Sequence, residues 1–127
     1  MRVLLSIKPE FAEKIFKGTK KFEFRRSLFK NPNIKTVVVY ASSPVQKVIG
    51  EFEIDSILNF SPKILWEKTK EFAGISETYF YEYFGDKQMG FAIKIKKVKR
   101  YEKELSLQKD FNAKPPQSFL YLQSEIA

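Results

Sequence analysis

The chain has no cysteine and no histidine, and the two absences together remove much chemistry. Without cysteine there is no disulfide and no thiolate nucleophile. Without histidine there is no Ser–His–Asp triad and no imidazole acid or base. Zinc sites draw mainly on these two residue types, so a structural or catalytic zinc is not expected. Catalysis would have to run on Lys, Glu, Asp, Tyr, Ser, Thr or bound magnesium; nothing in the chain points to a resident metal or a cofactor. Long hydrophobic runs are missing too. No apolar stretch approaches the ~18 residues needed to span a membrane. The opening MRVLLSIKPEF has neither the apolar length nor the small-residue cleavage site of a secretory signal. No membrane partner and a cytoplasmic location are the resulting expectations. No repeat, low-complexity tract or linker interrupts the sequence.

What is present is aromatic and basic. There are 13 phenylalanines and six tyrosines in 127 residues, so residues 1–127 read as one domain with an aromatic-rich core. The net charge of +8 is unevenly spread. Residues 1–35 carry ten Lys/Arg against three acids, residues 36–86 four against eight, and residues 87–127 nine against four. Two basic segments around an acidic middle suggest a dipolar molecule with one side facing a polyanion. The alternative is a small domain kept soluble by its lysines.

Periodicity sets the element order. RVLLSI (2–7) is a short apolar strand ended by Pro9. Pro9 opens, and Gly18 closes, a short amphipathic helix carrying Phe11, Ala12, Ile15 and Phe16 on its apolar side. In KKFEFR the period switches to two, with Phe22 and Phe24 on one face and Lys21, Glu23 and Arg25 on the other. Asn31-Pro32-Asn33 is turn chemistry. TVVVYAS (36–42) is a fully apolar central strand, broken by Ser42, Ser43 and Pro44. VIGEFEIDSIL (48–58) alternates, and Gly50 marks a bulge or a close backbone approach. Ser61-Pro62 starts a helix that ends at Gly74, and Ser76 starts another that ends at Gly85. Residues 91–101 form a long alternating strand, and 118–122 a last one. The expected fold is α+β, mainly β: a small mixed β-barrel decorated by about three short helices.

One stretch concentrates chemistry. In GTKKFEFRR (18–26), Glu23 and Arg25 stand two apart on one strand face, with Cα atoms ~6.5–7 Å apart, so their side chains can pair. A carboxylate beside Arg25 would hold the guanidinium fork toward a phosphate or a base edge. Lys20, at the start of the strand, could meet phosphate as a point charge; if desolvated, its pKa would fall and it could act as a base. The bland alternative is a solvent-exposed ion pair worth under ~1 kcal/mol.

Gly18, Lys20, Glu23 and Arg25 spell G-x-K-x-x-E-x-R between a helix and a strand. With SIKPEFAEKIFKG before it and VIGEFEID after it, the chain resembles the ASCH family, whose domains are similar to the PUA domains of RNA-modifying proteins. The resemblance covers about residues 1–122. It implies a PUA-like barrel whose cleft is walled by the motif. It also implies an RNA or nucleotide partner, with a link to translation or transcription regulation. Some ASCH relatives hydrolyse N4-acetylcytidine or act as ribonucleases, so a small metal-independent hydrolase using Lys20 with a carboxylate such as Glu23 is the alternative to a binding module. The amidohydrolase-type relatives carry Thr where this chain has Glu23, a departure that bears on that reaction in particular.

Other residues are candidates for the same cleft. Ser6 and Lys8 end the first strand beside the motif, and Arg26 extends its cationic run. Ser42 and Ser43 leave the central strand, with turn-making as the alternative. The resemblance brings in Gln117 and Ser118 to close the pocket. Lys94, Lys96 and Arg100 form either a phosphate-tracking stripe or a solvated strand face. Trp66 reads as a packing residue rather than a base-stacking one, and Glu67 and Glu71 as solvated helix positions. The reading that results is a module that recognises RNA or a modified nucleotide in a basic cleft.

Overall fold

The structure, a computed structural model, describes residues 1–123. Among the described residues there are six strands and four helices, in the order β1 (Arg2–Ile7), α1 (Pro9–Lys17), β2 (Phe22–Arg25), β3 (Thr36–Ala41), β4 (Lys47–Phe60), α2 (Pro62–Thr69), α3 (Glu77–Phe84), β5 (Gly90–Leu105), α4 (Leu107–Phe111) and β6 (Phe119–Leu122). A 3₁₀ turn, Lys70–Phe72, extends α2. The strands form one mixed sheet in the order β2-β5-β4-β3-β1-β6. Only β1 and β3 run parallel, and every other neighbouring pair is antiparallel. Among the described residues no helix is long and apolar enough to cross a membrane.

The apolar runs of β1 and β3 follow from burial on both faces of the sheet. Val3, Leu5 and Ile7 meet Val37, Val39 and Ala41 beneath Ala12 and Ile15 of α1. Leu4, Val38, Tyr40 and Val48 face the other side, against Leu107 of α4 and Leu122 of β6. A third cluster lies under α2 and α3, where Phe22 and Phe24 of β2 pack on Leu65, Phe80 and Phe84. Trp66 belongs to it, with its ring 5.0 Å from Phe80.

The sheet is open, which corrects the expected barrel. Closure needs the free edge of β2 to find another strand, and α3 takes that edge instead. The Tyr83 hydroxyl donates to the Phe24 carbonyl at 3.2 Å and accepts from the Arg26 amide at 3.2 Å. A side chain thereby satisfies edge groups that a barrel would give to a ladder. The gap is spanned by Arg25, whose guanidinium donates to the Ser6 carbonyl of β1 at 3.4 Å and to the Ser118 carbonyl, just before β6, at 2.8 Å.

The helix count is also one higher than expected. The additional helix, α4, is five residues long, with the Ser106 hydroxyl accepting from the Lys109 amide and the Asp110 carboxylate accepting from the Ser106 amide.

Gly50 serves both of its expected roles. The register shifts just before it in β4, against both β3 and β5, and a Cβ there would lie 2.6 Å from the Lys99 carbonyl oxygen and 2.6 Å from the Phe16 ring. The Phe16 ring can turn aside, but the Lys99 carbonyl is held in the sheet. Gly50→Ala is therefore expected to lower stability by ~1–3 kcal/mol through overpacking, read as a lower urea midpoint; an unchanged midpoint would mean the sheet yields freely at this bulge.

Candidate functional site

A cleft of about 180 Å³ opens between the end of β1, the start of α1, strand β2 and helix α3. β1 and the turn after it contribute Ser6, Ile7 and Lys8; α1 contributes Phe11; the motif contributes Lys20, Glu23, Phe24 and Arg25; and Ile75, Tyr79 and Tyr83 come from α3 and the turn before it. Each element reaches the cleft for a local reason. Pro9 at the first helical position turns the chain after Lys8. Gly18, with φ at +85°, caps α1 and sends the chain back along β2. Tyr79 and Tyr83 are four apart on α3, so both rings share one helix face.

Lys20 is the buried centre of the arrangement, only 2% exposed. Its Nζ donates to the Ala73 carbonyl at 2.7 Å and lies 4.8 Å from the centroid of the Phe24 ring and 5.4 Å from that of Phe11. Gly74 makes room for its stem, since a Cβ there, at φ +69°, would come within 2.5 Å of the Lys20 Cβ. Burial pushes the Lys20 pKa down to about 8, with the Glu23 carboxylate raising it and the Lys14 ammonium lowering it.

Glu23 is buried as well, at 6% exposure. Its Oε2 accepts from the Arg25 guanidinium at 3.2 Å. The pair is inside the protein rather than on a solvated face, and it links Lys20 to the seam that Arg25 spans. Ser6 holds the same seam, its hydroxyl donating to the Pro116 carbonyl at 3.2 Å.

The structure thus brings Ser6, Lys8, Lys20, Glu23 and Arg25 to one cleft. Gly18 shapes the turn without lining the cleft. Arg26 lies just outside it, with its guanidinium 5.5 Å from the centroid of the Tyr83 ring. Ser118 takes part through its carbonyl oxygen, and Gln117 is exposed beside it. Ser42 is tied to the end of β1 by its amide, which donates to the Ile7 carbonyl at 3.0 Å, and Ser43 is exposed; neither lines the cleft. Glu67 pairs with Lys70 on the surface, and Glu71 is exposed. On the β5 stripe Lys94 pairs with Asp55 at 3.8 Å and Arg100 with Glu13 at 2.8 Å. Among the described residues no three carboxylates gather as a metal site would require.

The aromatic wall of Phe11, Phe24, Tyr79 and Tyr83 is what sequence reasoning missed. A signal existed in SETYFYEYF, where Tyr79 and Tyr83 recur at helical spacing on a helix otherwise read only for its caps. Chemically, the cleft offers flat apolar rings, a buried amine that changes charge near neutral pH, and a fixed carboxylate–guanidinium pair. Such a set suits a planar ring attached to an anionic group.

Comparison with known proteins bears on the family and the fold. The ASCH domain model matches residues 5–120. An ASCH domain-containing ribonuclease from Zymomonas mobilis is 28% identical over 125 residues, covering 96% of this chain and 84% of the relative. The crystal structure of ASCH from Zymomonas mobilis superposes with a TM-score of 0.87 at 28% identity, covering 96% of this chain and 87% of that one. ATP synthase subunit alpha from Ureaplasma parvum is 35% identical over 121 residues; the match takes in 94% of this chain but the chain spans only 15% of that relative's length.

Two substitutions probe the buried charges. Lowering the Lys20 pKa from 10.5 to about 8 means that the folded state holds fewer protons than the unfolded chain between these values. Stability is then greatest above the unfolded value and falls as pH drops through the folded one, a loss of ~3 kcal/mol that is complete at pH 7. Lys20→Met removes that cost while leaving the Ala73 carbonyl unpaired, so a net gain of ~1–2 kcal/mol is expected at pH 7. In urea titrations the gain should shrink as pH rises from 8 toward 10.5, and a variant less stable than wild type at pH 7 would contradict it. Arg25→Lys keeps the charge but loses the planar fork that reaches Ser6, Glu23 and Ser118 together. Faster amide exchange or proteolysis near residues 116–118 is expected, with the β3–β4 core still protected.

Proposed function

We propose that this member of the ASCH family is an RNA-binding module that seats one nucleotide in the Lys20 cleft. The family and the relative named as a ribonuclease support an RNA-related role for the domain; the cleft as the place of recognition, and Lys20 as the group that meets the ligand, are the finer part of the proposal. One observation carries it: a lysine held out of water among aromatic rings, in a cleft about the size of a single planar group. Burying an ammonium is costly, and an anionic ligand supplies a counter-charge that offsets that cost and favours the charged form further. The aromatic wall offers faces on which a base can stack, at ~1–3 kcal/mol per base. A part in translation or transcription regulation, implied by the family resemblance, belongs to the same proposal.

A second reading, hydrolysis of RNA or of an acylated base, draws on the Lys20 pKa of about 8. At pH 7 roughly one Lys20 in ten is then a neutral amine, able to accept a proton. The bond from Nζ to the Ala73 carbonyl, rather than to a carboxylate, favours binding, because Glu23 is engaged with Arg25 and, among the described residues, Lys20 forms no ion pair.

The two readings differ in sign with pH. Glu23, Arg25 and Lys14 face Lys20 from β2 and α1, Lys8 from the β1–α1 turn, and Tyr79 and Tyr83 from α3, so Lys20 is the cleft group expected to change charge between pH 7 and 9. If its ammonium meets an RNA phosphate, affinity measured by fluorescence anisotropy should fall several-fold from pH 7 to pH 9, and Lys20→Met should flatten the dependence. If the amine acts as a base, cleavage of the same RNA on a gel should instead speed up across that window. No binding and no cleavage by wild type at either pH would reject both.

A further inference from the structure

Most of the paired arginines and lysines lie away from the mouth of the cleft. Arg2 pairs with Glu51, Arg25 with Glu23, Lys70 with Glu67, Lys94 with Asp55 and Arg100 with Glu13. Two of the three cations on the β5 stripe are therefore matched by carboxylates, which leaves that stripe poorly suited to following a phosphate chain. Lys8 and Arg26 differ. Both are exposed, and among the described residues neither forms an ion pair.

Each of these two cations is instead parked on a tyrosine of the cleft. Lys8 Nζ lies 5.2 Å from the centroid of the Tyr79 ring, and the Arg26 guanidinium lies 5.5 Å from that of Tyr83. The rings are four residues apart on α3, a rise of ~6 Å along the helix. The rings also hold the cations in place without neutralising them, and both rings line the cleft.

We propose that Lys8 and Arg26 form a two-phosphate rail along α3, gripping the phosphates on either side of the nucleotide seated in the cleft. The proposal rests on the RNA-binding reading above and narrows it to a single strand. A cleft of about 180 Å³ admits one base but not a base pair, so the strand must present an unpaired nucleotide. Arg26 supplies a planar fork to one phosphate and Lys8 a point charge to the other. The rail is sequence-independent, and discrimination falls to the groups inside.

The test is a salt titration of binding to a randomised hexaribonucleotide, with a hexadeoxyribonucleotide and a short RNA duplex alongside. For single strands the logarithm of affinity falls with the logarithm of salt by ~0.7 per phosphate contacted. Lys8→Gln and Arg26→Gln should each flatten that slope by ~0.7 and the double variant by ~1.4, with thermal midpoints near wild type because both side chains are exposed. The pair Lys94→Gln and Arg100→Gln should keep the wild-type slope. Binding of the DNA strand with the same loss of slope in the double variant supports the rail, which reads phosphates. A double variant with an undiminished slope overturns the rail while leaving RNA binding in place. Duplex binding as tight as single-strand binding overturns the single-strand claim. Wild type that binds none of the three probes removes the RNA-binding reading and the rail with it.

Discussion

A lysine held out of water sets the terms for the rest of the cleft. The Lys20 ammonium has one hydrogen-bonding carbonyl, two ring faces and the field of one carboxylate in place of bulk solvent. The carboxylate, Glu23, is buried in turn and needs a partner of its own, which Arg25 supplies. Arg25 then has donors left over, and they reach the Ser6 and Ser118 carbonyls. A charge placed at the start of β2 is thus coupled, through two further charges, to the segment that leads into the last strand. Buried ion pairs seldom add net stability over apolar packing, so the chain of charges is better understood as setting the cleft's chemistry than as holding the fold together.

The open seam and the cleft are one feature. β2 is short, and its outer edge is answered by the Tyr83 hydroxyl instead of a neighbouring strand. Had a ladder closed the barrel there, backbone would occupy the space that Tyr79, Tyr83 and Phe11 now line. Helix α3 blunts an exposed edge and builds an aromatic wall with the same side chains. The loop at Ala73 and Gly74 does something similar from the other direction. Its successive carbonyls, from Phe72 to Gly74, accept from the Lys21 amide, Lys20 Nζ and Lys14 Nζ. The left-handed Gly74 lets the Lys20 stem pass.

Much of the secondary structure was legible because its signals are local. Pro9 and Gly18 bracket α1, Ser76 and Gly85 bracket α3, and the unbroken apolar runs of β1 and β3 mark strands buried on both faces. The misses are physical as well. α4 is too short for periodicity to register. β4 and β5 run past their expected ends, to Phe60 and Leu105, because each is extended by pairing with the other. That pairing carries polar residues that a period-two pattern alone would not assign to a strand.

The sequence by itself determined every element but α4, the order of those elements, the family resemblance and the residues of the motif. Caps, periodicity and spacing depend on neighbours within a few positions, so they can be read directly along the chain. Only the tertiary structure decided what the motif's charges do. Whether Glu23 and Arg25 form a solvated pair or a buried one depends on α3 and the 116–118 segment, which lie more than fifty residues away. Whether Lys20 titrates near neutrality depends on Phe11, Phe24 and the carbonyl of Ala73. Desolvation and edge capping arise from groups that only folding brings together. They gave the cleft its aromatic wall, and they left the sheet open.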